Sequence, residues 1–210
     1  MQVNKPVRRR VSRPERERQI LDAASAVFAE RGYQAASMDT VAERVGVTKP
    51  VLYDHFGSKE GLLLACIARA RTELLEVTTK AAAGATNPEG MLRNGFRAFF
   101  DFLDSRGAAS TLLYEEAAKP VGSAAEALEG IRNQQTGFIA GLLAAHAPDA
   151  DARRLEAYAQ VIVGASERLA LWRGRRGGDD TVTAEQATEY LMDLVWSGLA
   201  IAAPSKVQAG

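Results

Sequence analysis

Apolar residues recur at helical spacing from near the start of the chain. In the first run they occupy positions i, i+1, i+4, i+7 and i+8, which places them on one face of a helix. Ser12 and Glu15 have the spacing of a capping box, so this helix is predicted to begin near Arg13. Gly32 is predicted to end it. The predicted buried face consists of Ile20, Leu21, Ala24, Val27 and Phe28.

Two much shorter helices are predicted between residues 37 and 57. Ser37 can cap the first, and Gly46 supplies the left-handed residue that ends it. Thr48 can cap the second, Pro50 stands in its first turn, where the missing N–H is harmless, and Gly57 ends it. Helices of about two turns are marginal alone. Neighbouring helices must therefore hold this pair through Val41, Val45, Val47, Leu52 and Phe56. Two short helices joined at a glycine are typical of a helix-turn-helix DNA-binding motif.

The rest of the chain is predicted to be helical as well. Apolar positions at helical spacing, punctuated by Gly and Pro, predict helices over residues 58–83, 88–105, 110–118, 122–146, 149–174 and 184–203. No segment shows the alternation that is typical of a strand. The sequence therefore predicts an all-α protein of about nine helices. Its predicted parts are a flexible basic arm (1–11), a helix-turn-helix domain (12–58) and a larger helical domain (59–210).

The net charge is zero, so a DNA-binding surface requires an uneven distribution of charge. Residues 1–20 carry seven basic and two acidic residues, a net charge of +5, which leaves −5 for the remainder. The positive end precedes the helix-turn-helix. Within it, Arg8, Arg9 and Arg10 could track phosphates or enter a minor groove, or they could form an ordinary solvated tail.

Composition narrows the possible environment. At 210 residues and 47% hydrophobic content, the chain can build a core. Its single cysteine, Cys66, excludes an intramolecular disulfide and suits a reducing compartment. The sequence has no run of about 18 apolar residues, and its basic N-terminus lacks an apolar signal core. We therefore expect a soluble, cytoplasmic protein that does not interact with a membrane.

The run TVAERVGVTKPVLYDHFGSKEGLL, with the upstream ILDAASAVFAERGYQAASM, closely resembles the N-terminal DNA-binding domain of the TetR family of one-component transcriptional regulators. The similarity covers about residues 14–64. It implies a homodimeric regulator, usually a repressor, that leaves a palindromic operator when a small molecule binds the larger domain, which would then serve effector binding and dimerisation. Two half-sites would convert two weak contacts by short recognition helices into one specific contact.

The resemblance also implies roles for individual residues. The positions that usually contact phosphates are Ser37, Thr40, Tyr53, His55 and Lys59. The positions at the start of the recognition helix are Thr48, Lys49, Pro50 and Val51. Lys49 could donate to guanine O6 or N7, and Pro50 or Val51 could meet a thymine methyl group. Structural alternatives remain open for Thr48 as a cap, His55 as a packed ring and Val51 as a core residue.

The last two helices carry wide apolar stripes. The resemblance implies that they pair with the same helices of a second chain in a four-helix bundle, whereas periodicity alone allows them to be intrachain core. The residues assigned to the dimer interface are Leu155, Tyr158, Ala159, Ile162, Val163, Leu191, Leu194, Val195, Gly198 and Leu199.

Aromatic side chains are concentrated on the central helices. The resemblance implies a ligand pocket there, and the shortage of charge among these residues favours an apolar or aromatic effector. Core packing is the alternative for each side chain. The candidate lining residues are Phe96, Phe99, Phe100, Leu103, Tyr114, Phe138, Leu142 and Trp172.

Catalytic chemistry is not indicated. His55 and His146 are the only histidines, and neither belongs to an HExxH motif, a nucleophile elbow or a phosphate-binding glycine loop. Cys66 lies on an apolar stripe, which is typical of a core residue, and one cysteine with two distant histidines has no metal-ligand spacing. We expect a non-enzymatic regulator without a cofactor or metal. An activator, and a ligand-independent or protein-responsive regulator of the same fold, remain open.

Overall fold

A computed structural model describes residues 12–108, 123–176 and 180–202. Within these ranges the chain forms helices and no strand, which confirms the all-α prediction. The eight helices are α1 (Arg13–Ala35), α2 (Met38–Val45), α3 (Lys49–Phe56), α4 (Lys59–Ala83), α5 (Pro88–Ser105), α6 (Ser123–His146), α7 (Ala152–Gly174) and α8 (Ala184–Ala202). The predicted arm (1–11) and the predicted helix over 110–118 lie outside the described residues. The chain divides into two compact units, Met1–Cys66 and Ile67–Gly210, and the division falls within α4.

Helix α1 buries one face in the first unit and packs on α2. Ser12 precedes it, and the Ser12 hydroxyl accepts a hydrogen bond from the Glu15 backbone N–H at 3.4 Å. Its buried residues are Ile20, Leu21, Ala24, Val27 and Phe28, as the spacing predicts. Gly32 leaves the helical conformation at φ 71° and ψ 161°, but the chain then resumes one further turn that ends at Ala35. Gly32 is therefore an interruption of α1 rather than its end.

The two short helices α2 and α3 begin and end at the residues that the sequence indicates. The Ser37 hydroxyl accepts from the Thr40 N–H at 3.1 Å and so caps α2. Gly46 takes the left-handed conformation (φ 76°, ψ 37°), and its N–H returns to the Ala42 carbonyl. Leu52 of α3 is fully buried and fixes this helix against the unit. Gly57 ends α3 with φ 71°.

Helix α4 belongs to both units. Its start is capped by Ser58, whose hydroxyl accepts from the Gly61 N–H at 2.9 Å. Its apolar stripe is buried and consists of Leu62, Leu63, Cys66, Ile67, Ala70 and Leu74. The first three of these residues belong to the first unit and the last three to the second.

The second unit is built from the remainder of α4 and from α5 to α8. Helix α6 packs chiefly on α7, and α5 packs chiefly on α8. Arg173 at the end of α7 joins three segments: its guanidinium donates to both Asp104 carboxylate oxygens at 2.5 and 3.0 Å and to the Val182 carbonyl at 3.4 Å, and it lies 5.2 Å from the Phe100 ring centre. In the described ranges, none of the helices has the length and apolar character that crossing a membrane requires.

Candidate DNA-binding surface and effector cavity

The start of α3 presents a continuous exposed surface. Thr48, Lys49 and Pro50 are exposed, and Tyr53, one turn further on, is 43% exposed. Val51 is half-buried, so only part of its side chain belongs to this surface. Because Leu52 is the side chain of α3 that is buried, the opposite face of the helix is available to a groove of DNA.

Lys49 is paired within this surface. Its Nζ donates to the Asp39 carboxylate at 2.9 Å, and both side chains are largely exposed. The hydrogen bond and the charge of Asp39 raise the pKa of Lys49. The ammonium is therefore held over the first turn of α2, and contact with a base or phosphate requires it to exchange or share this partner.

Thr48 and Ser37 hold equivalent cap positions but use their hydroxyls differently. Thr48 has the extended backbone of a cap (φ −89°, ψ 151°), yet its side chain makes no capping hydrogen bond. The sequence-based expectation that its hydroxyl caps α3 is thus not met. The Ser37 hydroxyl, in contrast, also lies 2.9 Å from the Thr40 hydroxyl, which accepts from Arg31 at 3.4 Å. The Thr48 hydroxyl is consequently not committed to the helix end.

Lys59 and His55 lie further along the motif. The Lys59 ammonium donates to the Ala36 carbonyl at 2.8 Å and to the Gln34 carbonyl at 3.3 Å, and it lies 4.4 Å from the Tyr33 ring centre. In this position its charge neutralises the carbonyl end of α1. His55 is half-buried with its ring 5.8 Å from that of Phe56. The candidate residues Arg8, Arg9 and Arg10 lie outside the described part of the chain.

An ion pair joins α1 to α2. Arg44 donates to both carboxylate oxygens of Glu30, at 2.8 and 2.7 Å. The hydrogen bonds from Arg44 lower the pKa of Glu30 from its ordinary value of 4.5. Bidentate pairing of this kind restricts the orientation of both side chains, so it holds α2 in register on α1.

The second unit contains an apolar cavity of about 100 Å³ between four helices. Four of the predicted ligand residues line it, namely Phe96 and Phe99 of α5 and Phe138 and Leu142 of α6. The other described lining residues are Leu74, Leu75, Thr78 and Ala82 of α4, Met91, Leu92 and Gly95 of α5, Gln135 and Ile139 of α6, and Ile162, Val163, Ser166 and Glu167 of α7.

The remaining predicted ligand residues are placed elsewhere. Phe100 and Leu103 are buried but do not line the cavity; Phe100 packs edge-on against Phe99. Trp172 is partly exposed and lies beneath the Arg176 guanidinium, 4.2 Å from its ring centre. Tyr114 lies outside the described residues.

The polar lining residues were not predicted from the sequence. Their signal is the helical spacing: Gln135 precedes Phe138 by three residues and Leu142 by seven, so all three share one face of α6. The predicted set contained aromatic and large apolar side chains, and therefore did not include the polar residues Gln135, Thr78, Ser166 and Glu167.

Most residues assigned to a dimer interface are covered within a single chain. The buried ones are Leu155, Ala159, Ile162, Val163, Leu191 and Val195. Ile162 and Val163 line the cavity. Tyr158 is half-buried, Leu194 and Gly198 are exposed, and the side chain of Leu199 is outside the described set. Val161 and Tyr190, which the sequence analysis did not select, are exposed apolar residues on the same two helices.

These features define a class of protein. A capped helix-turn-helix with an exposed second helix, followed by a helical unit with an apolar cavity, is the organisation of a DNA-binding regulator rather than of an enzyme. Within the described residues, no group of three or more His, Cys, Asp or Glu side chains is arranged to hold a metal ion.

Comparison with known families supports the assignment to a DNA-binding regulator. The family of bacterial regulatory proteins, tetR family, matches residues 20–66, and the tetracyclin repressor-like C-terminal domain matches residues 88–198. The second match covers more than half of the chain, and the chain belongs to the TetR family of transcriptional regulators.

Individual relatives are similar over different lengths. The HTH-type transcriptional activator FasR of Mycolicibacterium smegmatis is 44% identical over 106 residues, which are 50% of this chain and 48% of FasR. The chain thus spans about half the length of this curated relative. The crystal structure of a TetR-like transcriptional regulator from Rhodococcus sp. RHA1 is 29% identical with a TM-score of 0.69, covering 91% of this chain and 99% of that one. FadR from Bacillus subtilis, in complex with stearoyl-CoA, has a TM-score of 0.75 at 19% identity, covering 86% and 98%; it shows the shared fold.

Proposed function

We propose that the protein is a homodimeric repressor that binds a palindromic operator and is released when an apolar effector enters the cavity of the second unit. The observation that carries this proposal is the course of α4. This one helix starts in the unit that contains the helix-turn-helix and continues into the lining of the cavity, to which it contributes Leu74, Leu75 and Thr78. A change at the cavity lining therefore acts on an element that the DNA-binding unit shares.

The start of α3 supplies specificity in this proposal. Lys49 and the uncommitted hydroxyl of Thr48 reach base edges, Pro50 and Val51 offer apolar contact to thymine methyl groups, and Tyr53 meets the backbone. Ser37, Thr40 and His55 add phosphate contacts, as do Arg8, Arg9 and Arg10. Lys59 does so only if its ammonium exchanges the carbonyls of Gln34 and Ala36 for phosphate oxygens.

The cavity supports an effector with an apolar body. Its lining is dominated by Leu, Ile, Met and Phe side chains. At about 100 Å³ it is smaller than ligand pockets, which typically measure about 300–1,000 Å³. An effector of ordinary size must therefore displace the lining helices, and a hundredfold loss of operator affinity requires only about 2.7 kcal/mol of coupling. The stearoyl-CoA complex of FadR, which shares the fold, supports an acyl chain as the apolar body.

Dimerisation is proposed to involve α7 and α8. Val161 and Leu194 are 64% and 70% exposed in the single chain, and these are the side chains that a second copy would cover. Tyr158, Tyr190 and Gly198 extend the same surfaces. The buried residues Leu155, Ala159, Ile162, Val163, Leu191 and Val195 would support this interface from behind, and Leu199 would add to it.

Activation is a second candidate, because FasR is named a transcriptional activator. The same DNA and effector sites serve either mode. The position of the operator relative to the promoter decides between them: overlap with the polymerase site represses, and an upstream position permits activation.

Selection of bound DNA from a random pool tests the proposed function. We expect a palindromic consensus whose half-sites lie one helical turn, or a multiple of it, apart. In vitro transcription from a promoter that carries the recovered site then shows whether the protein represses or activates, with and without an acyl probe such as decanoyl-CoA. A consensus without twofold symmetry would contradict the dimer, and unchanged operator binding across acyl probes of several chain lengths would contradict the effector role.

A further inference from the structure

The cavity has a polar end. Helices α6 and α7 are joined by a short connection and run antiparallel, and Arg132 of α6 donates to Glu167 of α7 at 3.4 Å. Gln135 follows Arg132 by one turn, so Gln135, Ser166 and Glu167 lie at the same end of the lining. Leu142 lies two turns further along α6 at the opposite end. A ligand in this cavity meets polar groups at one end and apolar side chains along its body.

Both hydroxyl groups of the lining donate their protons to backbone carbonyls of their own helices. The Ser166 hydroxyl donates to the Ile162 carbonyl at 2.8 Å. The Thr78 hydroxyl donates to the Leu74 carbonyl at 2.8 Å and shares this proton with the Leu75 carbonyl at 3.1 Å. A hydroxyl that donates to its own helix presents only its lone pairs to a ligand. The Glu167 carboxylate likewise offers acceptors.

Gln135 is different, because Arg71 determines which way its amide faces. Arg71 is 3% exposed, and its Nη1 donates to Gln135 Oε1 at 3.3 Å. A guanidinium has no acceptor, so the amide oxygen and not the NH₂ group must face it. The Gln135 NH₂ group then points away from Arg71, and it has no hydrogen-bond partner among the residues that the structure describes. Among the described lining side chains, it is the group that can donate to a ligand.

We propose that Gln135 donates a hydrogen bond to a carbonyl oxygen of the effector, and that Arg71 is the residue that positions its amide. The matching ligand is a neutral acyl derivative, an ester, thioester or amide with an apolar chain. A neutral carbonyl adds no charge at the polar end, whereas a free carboxylic acid would place a second carboxylate beside Glu167, for which Arg132 at 3.4 Å is the one counterion among the described residues. This inference rests on the effector role proposed above for the cavity.

Paired probes of matched chain length test the role of Gln135. Calorimetric titration of the full chain at pH 7.5 would compare methyl octanoate with 1-chlorooctane, which lacks a carbonyl. We expect Gln135→Met to reduce the preference for the ester by about 2- to 12-fold, the value of one net hydrogen bond. The matched control, Gln134→Met, makes the same substitution at the exposed neighbouring position of α6, outside the cavity lining, and should keep the preference. Because the preference is a ratio of two dissociation constants of one variant, partial unfolding cancels from it.

Three further variants test the positioning role of Arg71 and the class of ligand. Arg71→Met should reduce the ester preference as Gln135→Met does, whereas Arg71→Lys, which keeps a donor for Gln135 Oε1, should retain part of it. Glu167→Gln should raise the affinity for octanoic acid relative to that for methyl octanoate by about 10-fold, since a like charge is removed.

The outcomes distinguish this inference from the proposed function. If both probes bind and Gln135→Met leaves their ratio unchanged, Gln135 is not the donor although the cavity is a ligand site. If the free acid binds as tightly as the ester to the unmodified protein, the neutral acyl class is wrong. If no probe binds, the effector cavity itself is refuted, and the role of Gln135 with it.

Discussion

At the scale of single residues, the pair Lys49–Asp39 is expected to have two opposing effects on DNA binding. The carboxylate holds the lysine at the start of α3, at 2.9 Å, and so orders a long side chain before DNA arrives. The same carboxylate adds a negative charge beside the surface that would meet phosphates. For an exposed pair, ordering the lysine contributes little free energy to binding. Repulsion between Asp39 and DNA should therefore be the larger effect.

Replacing Asp39 by Asn is therefore expected to strengthen operator binding. We expect a rise of about 3- to 10-fold at low salt, since one repulsive charge is removed, and a smaller rise at higher salt because screening reduces it. Fluorescence anisotropy titrations at several salt concentrations measure this. Asp101→Asn, which removes an exposed carboxylate paired with Arg97 in the second unit, is the matched control. Equal or weaker binding by the Asp39 variant would show that ordering of Lys49 dominates.

The sequence predicted which residues of the candidate DNA-binding surface are exposed, but not the partners of their side chains. Exposure of Thr48, Lys49 and Pro50 follows from the burial of Leu52 on the other side of a short helix, and the helical period predicts this. The bonds from Lys59 to the carbonyls of Gln34 and Ala36 do not follow, because they join residues more than twenty positions apart. A resemblance assigns a role to a position, whereas the partner of a flexible side chain depends on local packing.

At the scale of elements, glycine has opposite effects in turns and in helices. Gly46 has a φ of 76°, and a Cβ added there would meet no atom within 4 Å. A side chain at this position is thus unfavourable because of the backbone conformation, and not because it would clash with neighbouring atoms. Gly137, inside α6, also has open space around the position of a Cβ, but its backbone is helical.

Gly46→Ala is expected to lower the free energy of unfolding by about 1–2 kcal/mol, the penalty of a left-handed conformation for an L-residue. Gly137→Ala is expected to raise it by about 0.5–1 kcal/mol, because alanine loses less backbone entropy in a helix. Urea denaturation followed by circular dichroism measures both. The pair controls for the added methyl group itself, so a loss of stability in both variants would contradict the backbone explanation.

Helix bounds were predictable where capping and breaking residues are local. Helix α5 begins at Pro88 and ends at Ser105, as predicted. Asn87 caps its start, and Arg106 leaves the helical conformation directly after its end. The neighbour that a stripe faces was less predictable. Ile162 and Val163 belong to a periodic apolar face, and periodicity requires only that this face be covered. In the structure they line the cavity, and no local pattern distinguishes a wall of this kind from an interface with a second chain.

At the scale of the whole molecule, the exposed apolar residues of α7 and α8 raise the question of assembly. Val161 and Leu194 are the most exposed large apolar side chains among the described residues. Scattered single residues of this kind are normal on a protein surface, so their position on the two helices that the resemblance assigns to dimerisation is what makes them informative.

A negative charge at these positions should separate the chains without unfolding them. We expect Leu194→Glu and Val161→Glu each to weaken dimerisation by about 100-fold or more, because a charge would be buried unpaired in the interface. Sedimentation velocity measures the mass, and operator binding should fall in parallel. Gln160→Glu, an exposed polar residue beside Val161, is the control and should remain dimeric. Variants that keep the dimer would place the interface on another surface.

Cys66 gives the molecule a built-in reporter of motion. It is the single thiol of the sequence, it is 1% exposed, and its Sγ lies 3.7 Å from the Leu21 carbonyl of α1. At 1% exposure, the thiol is reached by a reagent only when the surrounding packing opens locally, so the rate of alkylation measures how often this opening occurs. Comparing that rate with and without operator DNA follows the local stability of the DNA-binding unit, with no engineered cysteine required.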